Sequence, residues 1–362
     1  MRKLHHIAVT GGSGFIGSNF IHYLYRESDF KGIIVNIDKL TYAGNPLNLT
    51  DIANKYGSKT YFFEKTDICN YEQVRKVFQK YDIDSVVHFA AESHVDRSIF
   101  GPRQFIETNI LGTFHLLEVA REFWGQRTDT LFHHVSTDEV YGSLGEEGSF
   151  SETTPYRPNS PYSASKASSD HLVRAYAHTY GLPVTISNCS NNYGPYQFPE
   201  KLIPLMISNM IEEKPLPVYG DGKNVRDWLY VEDHVSAIWT ILNRGKTGET
   251  YNVGGETEWE NIKLVNVLCE KMARRMNKPK DHYARLITFV KDRPGHDRRY
   301  AINCNRIKRE LEWKQSVDFE RGLEKTIDWY LQNEEWSENV RSGEYRKWID
   351  RNYENRGRAE PA

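Results

Sequence analysis

The chain has 362 residues and nearly balanced charge, with 47 lysines and arginines against 49 aspartates and glutamates. This length allows one large domain with an appendage or two domains. The balanced charge, without long runs, indicates neither a nucleic-acid polymer nor a membrane as partner, and no apolar stretch is long enough to span a bilayer. Four separated cysteines without a CxxC pair, and no recognisable secretory signal, predict a soluble cytoplasmic protein with reduced thiols.

The first predicted element is a strand that runs into a glycine-rich turn and then a helix beginning at Phe15. Gly11, Gly14 and Gly17 have the GxxGxxG spacing of a dinucleotide-binding turn, although glycines also mark ordinary turns. Asp38 closes the next apolar strand, where a carboxylate binds ribose hydroxyls and repels the additional phosphate of NADP. The sequence therefore predicts NAD as cofactor. The adjacent Lys39 is an argument against this preference, because a cation could accept the additional phosphate of NADP.

Strand and helix patterns then alternate up to about residue 190. Apolar runs predict strands at 33–37, 61–64, 84–91, 131–136 and 184–189, and amphipathic spacing predicts helices at 71–81, 101–124 and 161–180. This alternation is typical of a doubly wound α/β fold with a Rossmann-type parallel sheet, in which ligands bind beyond the carboxyl ends of the strands.

The rhythm changes after residue 190, where segments rich in Pro, Gly and Tyr surround a predicted helix at 202–211. Further helices are predicted near 261–276, 305–311 and 319–333. We assign residues 1–190 to an NAD-binding Rossmann domain, to which 227–253 are expected to return. Residues 191–226 and 254–335 form a smaller α/β substrate-binding domain in this interpretation, and 336–362 form a C-terminal tail that we expect to be partly mobile.

The segment VSTDEVYG, residues 135–142, places Thr137, Asp138 and Glu139 at the carboxyl end of a predicted strand. Adjacent carboxyls in a turn are commonly just solvated. At this edge of the sheet, beside a nicotinamide, they can instead divide labour, because repulsion and burial raise one pKa and leave a protonated acid beside an ionised base.

Tyr162 and Lys166 lie four residues apart at the start of a predicted helix, so both side chains share one face. Such a pair also occurs by chance on helix surfaces. Following a nucleotide-binding turn, it indicates a phenol whose pKa is lowered by the ammonium group, so that it can remove a hydroxyl proton as hydride leaves the carbon.

The combination of the GxxGxxG turn and the Tyr–Lys pair resembles the extended branch of the short-chain dehydrogenase superfamily. Within that branch the chain resembles the dTDP-glucose 4,6-dehydratase family in eight segments: TGGSGFIG, NIDKLTYAGN, AAESHVDRS, STDEVYG, YSASK, NNYGPYQFPEKLIP, RDWLYVEDH and DRPGHDRRY. The acidic pair of the TDEVYG segment is the most specific of these features, since the related sugar epimerases lack it.

The resemblance implies an enzyme with an internal redox cycle. Tyr162, helped by Thr137, would remove the sugar O4 proton while NAD accepts hydride from C4. Glu139 would take the C5 proton, Asp138 would protonate the departing C6 hydroxyl, and the hydride would return to C6. The implied partner is a nucleotide sugar, and the implied assembly is a homodimer through helices 101–124 and 161–180.

The resemblance also implies the binding residues. The NAD site would be lined, besides the three glycines, Tyr162 and Lys166, by Phe15, Ile16, Asp38, Lys39, Leu40, Thr41, Asp67, Ile68, Phe89, Ala90, Ala91, Thr108 and Asn192. The nucleotide sugar would contact Ser93, Thr137, Asn191, Lys201, Leu202, Pro217, Tyr219, Arg226, Asn261, Asp292, Arg293 and His296. From their chemistry alone, Arg226, Arg293 and Lys201 suit a diphosphate and Tyr219 a base, although each has an ordinary alternative as a surface charge or packing aromatic.

Several alternatives remain open at this point. Another sugar-nucleotide 4,6-dehydratase or a 4-epimerase would share the fold and NAD, and a nonenzymatic NAD-binding regulator would share the turn. The choice between thymine and uracil is also open. His88 and His94 have no third ligand at a useful spacing, so the sequence predicts no metal site.

Overall fold

The computed structural model describes residues 2–341 together with residues 349 and 352. Its strands are β1 His6–Thr10, β2 Ile33–Asp38, β3 Tyr61–Lys65, β4 Ser85–His88, β5 Leu131–Thr137, β6 Val184–Cys189, β7 Asn191–Tyr193, β8 Leu216–Tyr219, β9 Val225–Tyr230, β10 Thr250–Val253, β11 Glu258–Glu260 and β12 Ile287–Val290. Its helices are α1 Phe15–Arg26, α2 Thr50–Tyr56, α3 Tyr71–Tyr81, α4 Val95–Phe100, α5 Pro102–Phe105, α6 Thr113–Trp124, α7 Pro161–Tyr180, α8 Leu202–Ile211, α9 Val231–Arg244, α10 Asn261–Arg275, α11 Asn305–Leu311, α12 Phe319–Gln332 and α13 Glu334–Val340.

Seven parallel strands form the main sheet in the order β10-β6-β5-β4-β1-β2-β3. The order reverses between β1 and β4, so the connections that leave these two strands run in opposite directions. Such a reversal opens a crevice at the carboxyl ends of the strands. The predicted doubly wound Rossmann-type sheet is confirmed.

The main sheet is covered on both faces by apolar side chains. Strand β5 is buried along its whole length, as parallel strands between two helical layers are. Phe132 on this strand is fully buried with Trp124 and Val173 from the helices, and each such side chain stabilises the fold by roughly 1.5–3 kcal/mol. The sheet is thus a rigid base for the residues that leave its carboxyl edge.

The predicted helix at 101–124 is interrupted in the structure. It consists of α5, a π-helical segment Ile106–Gly112, and α6. Within the π-helical segment, the Asn109 side chain donates to Glu92 O at 3.0 Å and to Ser165 Oγ at 2.8 Å. These tertiary hydrogen bonds are invisible to sequence periodicity, and π-helical turns of this kind often occur at functional sites.

Two small sheets lie beyond the main one, with the strand orders β11-β9-β7 and β12-β8. Of the segment 227–253, β10 joins the edge of the main sheet beside β6, whereas β9 lies between β7 and β11. A separate apolar core that includes Met206, Leu268 and Leu323 packs these sheets against α8, α10 and α12. The division into two domains at the predicted boundaries stays a prediction.

The beginning of the predicted C-terminal tail is helical, because α13 packs through Trp336, whose Nε1 donates to Asn48 Oδ1 at 2.7 Å. Most of the predicted tail lies outside the described residues. Within the described part of the chain, no helix combines the length and the apolar character needed to cross a membrane.

Candidate active site

The turn after β1 requires glycine at two positions. Gly11 has a φ of +69°, and a Cβ there would lie 2.7 Å from Ala90 N. A Cβ on Gly17 would lie 2.3 Å from Gly11 O. Gly14 precedes α1 in an extended conformation, so the N-terminus of the helix opens onto the cleft above it. This is the geometry that receives a pyrophosphate at a helix N-terminus.

Asp38 ends β2 with its carboxylate fixed by two backbone groups. Oδ2 accepts from Ser13 N at 3.0 Å and Oδ1 accepts from Leu40 N at 2.8 Å. Burial raises the pKa of Asp38, and these two N–H donors act against that rise. The neighbouring Lys39 ammonium lies 2.7 Å from Asp67 Oδ2, so its charge is already balanced by a carboxylate.

A single cleft runs from the glycine turn to the start of α7. Most of the predicted cofactor residues line it, namely Gly11, Gly14, Phe15, Ile16, Gly17, Asp38, Lys39, Thr41, Asp67, Ile68, Phe89, Ala90, Ala91, Thr108, Tyr162, Lys166 and Asn192. Leu40 is the exception, and it acts through the backbone N–H that it donates to Asp38. The cleft is also lined by six of the residues predicted for substrate or catalysis outside that set: Ser93, Thr137, Asp138, Glu139, Asn191 and Lys201.

The acidic pair lies where β5 ends and a short 3₁₀ turn, Asp138–Tyr141, begins. Thr137 caps this turn, since its Oγ1 accepts from Glu139 N at 3.3 Å. Asp138 is 1% exposed, and its Oδ2 has no hydrogen-bond partner among the residues that the structure describes. A buried carboxyl with one open oxygen is costly to keep without a ligand to contact.

The two carboxyls have different electrostatic surroundings. Burial, and then the charge of Glu139, hold the pKa of Asp138 well above its usual range. Burial also raises the pKa of Glu139, but Arg293, Arg226 and Lys201 act to lower it. The rise is the larger one for Asp138, and such a difference between neighbouring carboxyls favours a protonated acid at 138 beside an ionised base at 139. These two roles stay a prediction.

Tyr162 and Lys166 lie on the first turns of α7, which begins with a capping box formed by Ser160 and Ser163. Lys166 Nζ donates to Val135 O at 2.9 Å. The predicted lowering of the Tyr162 pKa toward neutrality is wrong for this structure. Burial, and then Glu139, hold the Tyr162 pKa well above its usual range, because a phenolate in this enclosed place loses its hydration beside a carboxylate.

The predicted diphosphate ligands converge on Glu139 from three elements. Lys201 Nζ donates to Ser93 O at 2.8 Å, and Arg226 on β9 donates to Asp297 O at 2.8 Å. Arg293, from the segment after β12, lies 3.4 Å from an Asp96 carboxylate oxygen. All three cations act to lower the pKa of Glu139, against the rise that burial causes.

The remaining predicted substrate residues lie around the cleft and do not form its wall. Tyr219 on β8 donates its hydroxyl to Asp96 Oδ2 at 2.7 Å, and its ring lies 6.1 Å from that of His296. His296 Nδ1 lies 2.6 Å from Asp292 Oδ1. Pro217 is on β8, Leu202 begins α8, and Asn261 begins α10.

Sequence reasoning missed several buried carboxylates near the site, including Asp96 and Asp170. Asp96 is 1% exposed and accepts from Tyr219, Arg293 and Asn352, so it organises the outer part of the site. Asp170 is fully buried on α7, one turn after Lys166. The i to i+4 spacing from Lys166 could have identified Asp170, whereas the partners of Asp96 are remote in sequence.

His88 and His94 occupy different settings. The ring nitrogens of His88 lie 2.7 Å from Thr10 Oγ1 and 2.9 Å from Thr113 Oγ1, and burial holds its pKa well below the usual range. Burial lowers the pKa of His94 to about 4. In the described part of the chain, no three His, Cys, Asp or Glu side chains are grouped in a way that could hold a metal ion.

Residues 8–326 match the protein-family model described as GDP-mannose 4,6-dehydratase. The chain is 54% identical to the dTDP-glucose 4,6-dehydratase of Salmonella typhimurium, with 97% of this chain and 99% of the relative aligned. Among solved structures, the Bacillus anthracis dTDP-glucose 4,6-dehydratase in complex with NAD is 47% identical, with a TM-score of 0.82 over 93% of this chain and 99% of that one.

The NAD-bound dTDP-glucose 4,6-dehydratase of Streptomyces venezuelae is 42% identical, with a TM-score of 0.83 over 92% of this chain and 99% of that one. The fold, the residues that line the cleft and the sequence identity over nearly the whole chain all indicate the same family. The chain belongs to the dTDP-glucose 4,6-dehydratase family, within the extended short-chain dehydrogenases.

Proposed function

We propose that this protein is a hydro-lyase that converts dTDP-glucose to dTDP-4-keto-6-deoxyglucose with bound NAD. The observation that carries the proposal is the acidic pair of buried Asp138 and half-buried Glu139, which lines the same cleft as the glycine turn and Tyr162. Oxidation at C4 needs only NAD bound at the glycine turn and Tyr162 as the proton acceptor. Elimination across C5 and C6 also needs an acid and a base, and the pair supplies both.

NAD fits the cleft for reasons of shape and charge. Gly11 and Gly17 leave no room for a side chain, α1 points its N-terminus into the cleft, and Asp38 lines it where ribose hydroxyls would bind. When bound, NAD accepts a hydride from sugar C4 and later returns it to C6. We expect NAD to copurify, and recovery of mainly NADP from the denatured protein would contradict the role given to Asp38.

The first proton transfer falls to Tyr162. Its hydroxyl removes the O4 proton of the sugar, and Thr137 steadies the same hydroxyl, since its side chain acts to lower the Tyr162 pKa. Lys166 supplies a buried positive charge one turn further along α7. Because burial raises the Tyr162 pKa, this deprotonation depends on positive charge gathered at the cleft, and the lysine is one source of it.

The second half of the reaction falls to the acidic pair. The C4 ketone acidifies the C5 proton, which Glu139 removes as a base. Asp138, kept protonated by burial and by its neighbour, gives its proton to the C6 hydroxyl, which leaves as water. When hydride returns to C6, Glu139 returns a proton to C5. The O4 proton taken by Tyr162 is released to solvent, and Asp138 takes up one proton from solvent in place of the one it gave to water, so atoms and charges balance over the cycle.

The nucleotide diphosphate would lie along Lys201, Arg226 and Arg293. Arg293 Nε is buried without a hydrogen-bond partner among the described residues, so it has a donor available for a phosphate oxygen. Tyr219 lies further out, where its ring can contact the base. We propose these residues as the substrate site of the enzyme.

We further propose that the protein is a cytoplasmic homodimer. Apolar side chains are exposed along the helices between residues 95 and 124 and at the end of α7: Phe100, Ile106, Leu111, Phe114 and Tyr180. Such a set on neighbouring helices suits a second copy of the chain. All four cysteines are free thiols, which supports a reducing compartment. A monomer at micromolar concentration in solution scattering would contradict the dimer.

The activity is tested by incubating the purified protein with dTDP-glucose and, separately, with UDP-glucose, and by determining product masses. Loss of one water from dTDP-glucose without added oxidant supports the proposal. An unchanged mass together with an inverted C4 configuration would identify a 4-epimerase instead. Loss of water from UDP-glucose alone would support the dehydration reaction but identify uracil as the nucleobase of the substrate.

A further inference from the structure

A fully buried carboxylate lies beneath the active site, outside the cleft wall. Asp170 Oδ2 accepts from Ser136 Oγ at 2.8 Å and from the Tyr156 hydroxyl at 2.9 Å. Asp170 Oδ1 lies 3.1 Å from His134 Nε2. The chemistry proposed above has no role for this group, yet burying an ionised carboxyl is costly unless it is paired.

Asp170 and Lys166 share one face of α7, because they are one helical turn apart. Both are bound to the same short stretch of β5. Lys166 Nζ donates to Val135 O, while Asp170 contacts the residues on either side of Val135. This stretch leads directly into Thr137, Asp138 and Glu139, so the helix pair fixes the strand end that carries the acid and the base.

The two groups are also linked by charge. Lys166 is buried, and this burial lowers the pKa of its ammonium group, whereas Asp170 acts to raise it. In return, Lys166 and His134 help to hold the Asp170 pKa below its usual value. Burial lowers the pKa of His134 to about 4, so this imidazole is neutral near pH 7 and leaves Lys166 as the cationic partner at the site.

Five other titratable groups are packed around the pair. Those that face it are His88 on β4, Tyr141 after β5, Tyr156 before α7, Arg174 on α7 and Cys189 on β6. Burial is the largest cause of each pKa shift: it lowers the pKa of His88 and raises the pKa of the two tyrosines and of the thiol. Each shift favours the neutral form of the group. Arg174 donates to the Tyr156 hydroxyl, so its charge reaches Asp170 through that phenol.

We propose that Asp170 is a positioning residue, which keeps Lys166 charged and bound to β5 and thereby sets the pH range in which Tyr162 can oxidise the sugar. The inference rests on the proposed function, because it assigns a task relative to Tyr162. Its physical basis is the arrangement of one ammonium and one carboxylate, buried one turn apart and held against three consecutive residues of a single strand.

The test is the rate of NAD reduction on mixing with dTDP-glucose, followed across pH in the Asp170→Asn variant. The amide keeps the shape but removes the charge, so Lys166 loses its proton more easily. We expect the alkaline limb of the profile to move to lower pH by about one to three units, the usual effect of a nearby opposite charge. A uniformly reduced rate with unshifted limbs would overturn the proposal, because a purely structural loss has no reason to move a titration.

A second variant keeps the test decisive if Asp170→Asn does not fold. Tyr156→Phe removes one donor to the ionised carboxylate, which should then take up a proton at higher pH. We expect the acidic limb to rise by about one pH unit, from the strength of a hydrogen bond to a charged group. Tyr176→Phe is the control, on the helix that carries Asp170. The Tyr176 hydroxyl donates to Glu118 and not to Asp170, so the profile of this variant should stay unshifted.

An unshifted acidic limb in Tyr156→Phe would overturn the proposal. Failure of the proposed function has a different signature, because the unmodified protein would then not reduce NAD with dTDP-glucose at any pH. If the unmodified protein reduces NAD but the pH profiles of the variants have unshifted limbs, only the role of Asp170 is refuted and the proposed function stands.

Discussion

Replacing Glu139 by Gln separates the two halves of the proposed reaction. The substitution keeps the size of the side chain but removes the charge on which Arg226, Arg293 and Lys201 converge. Tyr162 keeps its place at the start of α7, so hydride should still leave C4. Proton removal at C5 should fail, because an amide is not a competent base.

The expected loss follows from the task of the group. A positioned general base contributes roughly 10²- to 10⁴-fold, which corresponds to about 3–5 kcal/mol of barrier. Burial raises the pKa of Glu139, and the three cations act against that rise. The amide of the variant cannot accept the C5 proton at any pH, so the full contribution of the base is lost. Turnover should fall by that factor, whereas the rate of NAD reduction should change far less.

The assay combines two readouts on mixing with dTDP-glucose: absorbance of reduced nicotinamide and deuterium uptake at C5 from D₂O. In Glu139→Gln, reduced cofactor should accumulate while deuterium uptake and water loss become slow. Glu146→Gln, on the exposed segment that follows the same turn, is the control and should behave as the unmodified protein. Normal turnover in Glu139→Gln would refute the assignment of the base.

Three further outcomes are expected. Tyr162→Phe should leave NAD oxidised when dTDP-glucose is added, and accumulation of reduced cofactor in stopped-flow absorbance would contradict its role. Gly17→Ala should lose bound NAD and unfold more easily by on the order of 1–3 kcal/mol in a denaturant titration, because the new Cβ would lie 2.3 Å from Gly11 O. Asp138→Asn should abolish water loss and remove a pH dependence of stability. Burial and the neighbouring carboxylate raise the pKa of Asp138 in the folded state above its ordinary value, so the free energy of unfolding of the unmodified protein falls as pH rises between those two values. An equal pH dependence of stability in both proteins would count against this.

The fold could be predicted because its signals are local. The apolar runs of β2, β4, β5 and β6 alternate with amphipathic helices, and the glycine turn marks the start of the sheet. The glycines at 11 and 17 could be predicted for the same reason, since both close approaches involve backbone within the turn or at the end of a neighbouring strand. The π-helical segment Ile106–Gly112 could not, because a hydrogen bond from Asn109 to remote Ser165 accompanies it.

The candidate site was predictable in composition and less so in electrostatics. The raised pKa of Asp138 follows from two adjacent carboxyls at a buried strand end, a pattern visible in the sequence. The raised pKa of Tyr162 does not, since it depends on how deeply the phenol lies and on its approach to Glu139. Asp96 escaped notice because its partners come from β8, the segment after β12 and Asn352.

In the proposed reaction, one hydride leaves C4 and returns to C6 of the same sugar within a single cleft. The most direct measurement uses dTDP-glucose carrying deuterium at C4 and locates the label in the product by NMR. We expect that the product has lost one water, that deuterium is found at C6, and that no external oxidant or reductant is consumed. A product that retains water, or one whose C6 carries no deuterium from C4, would contradict it.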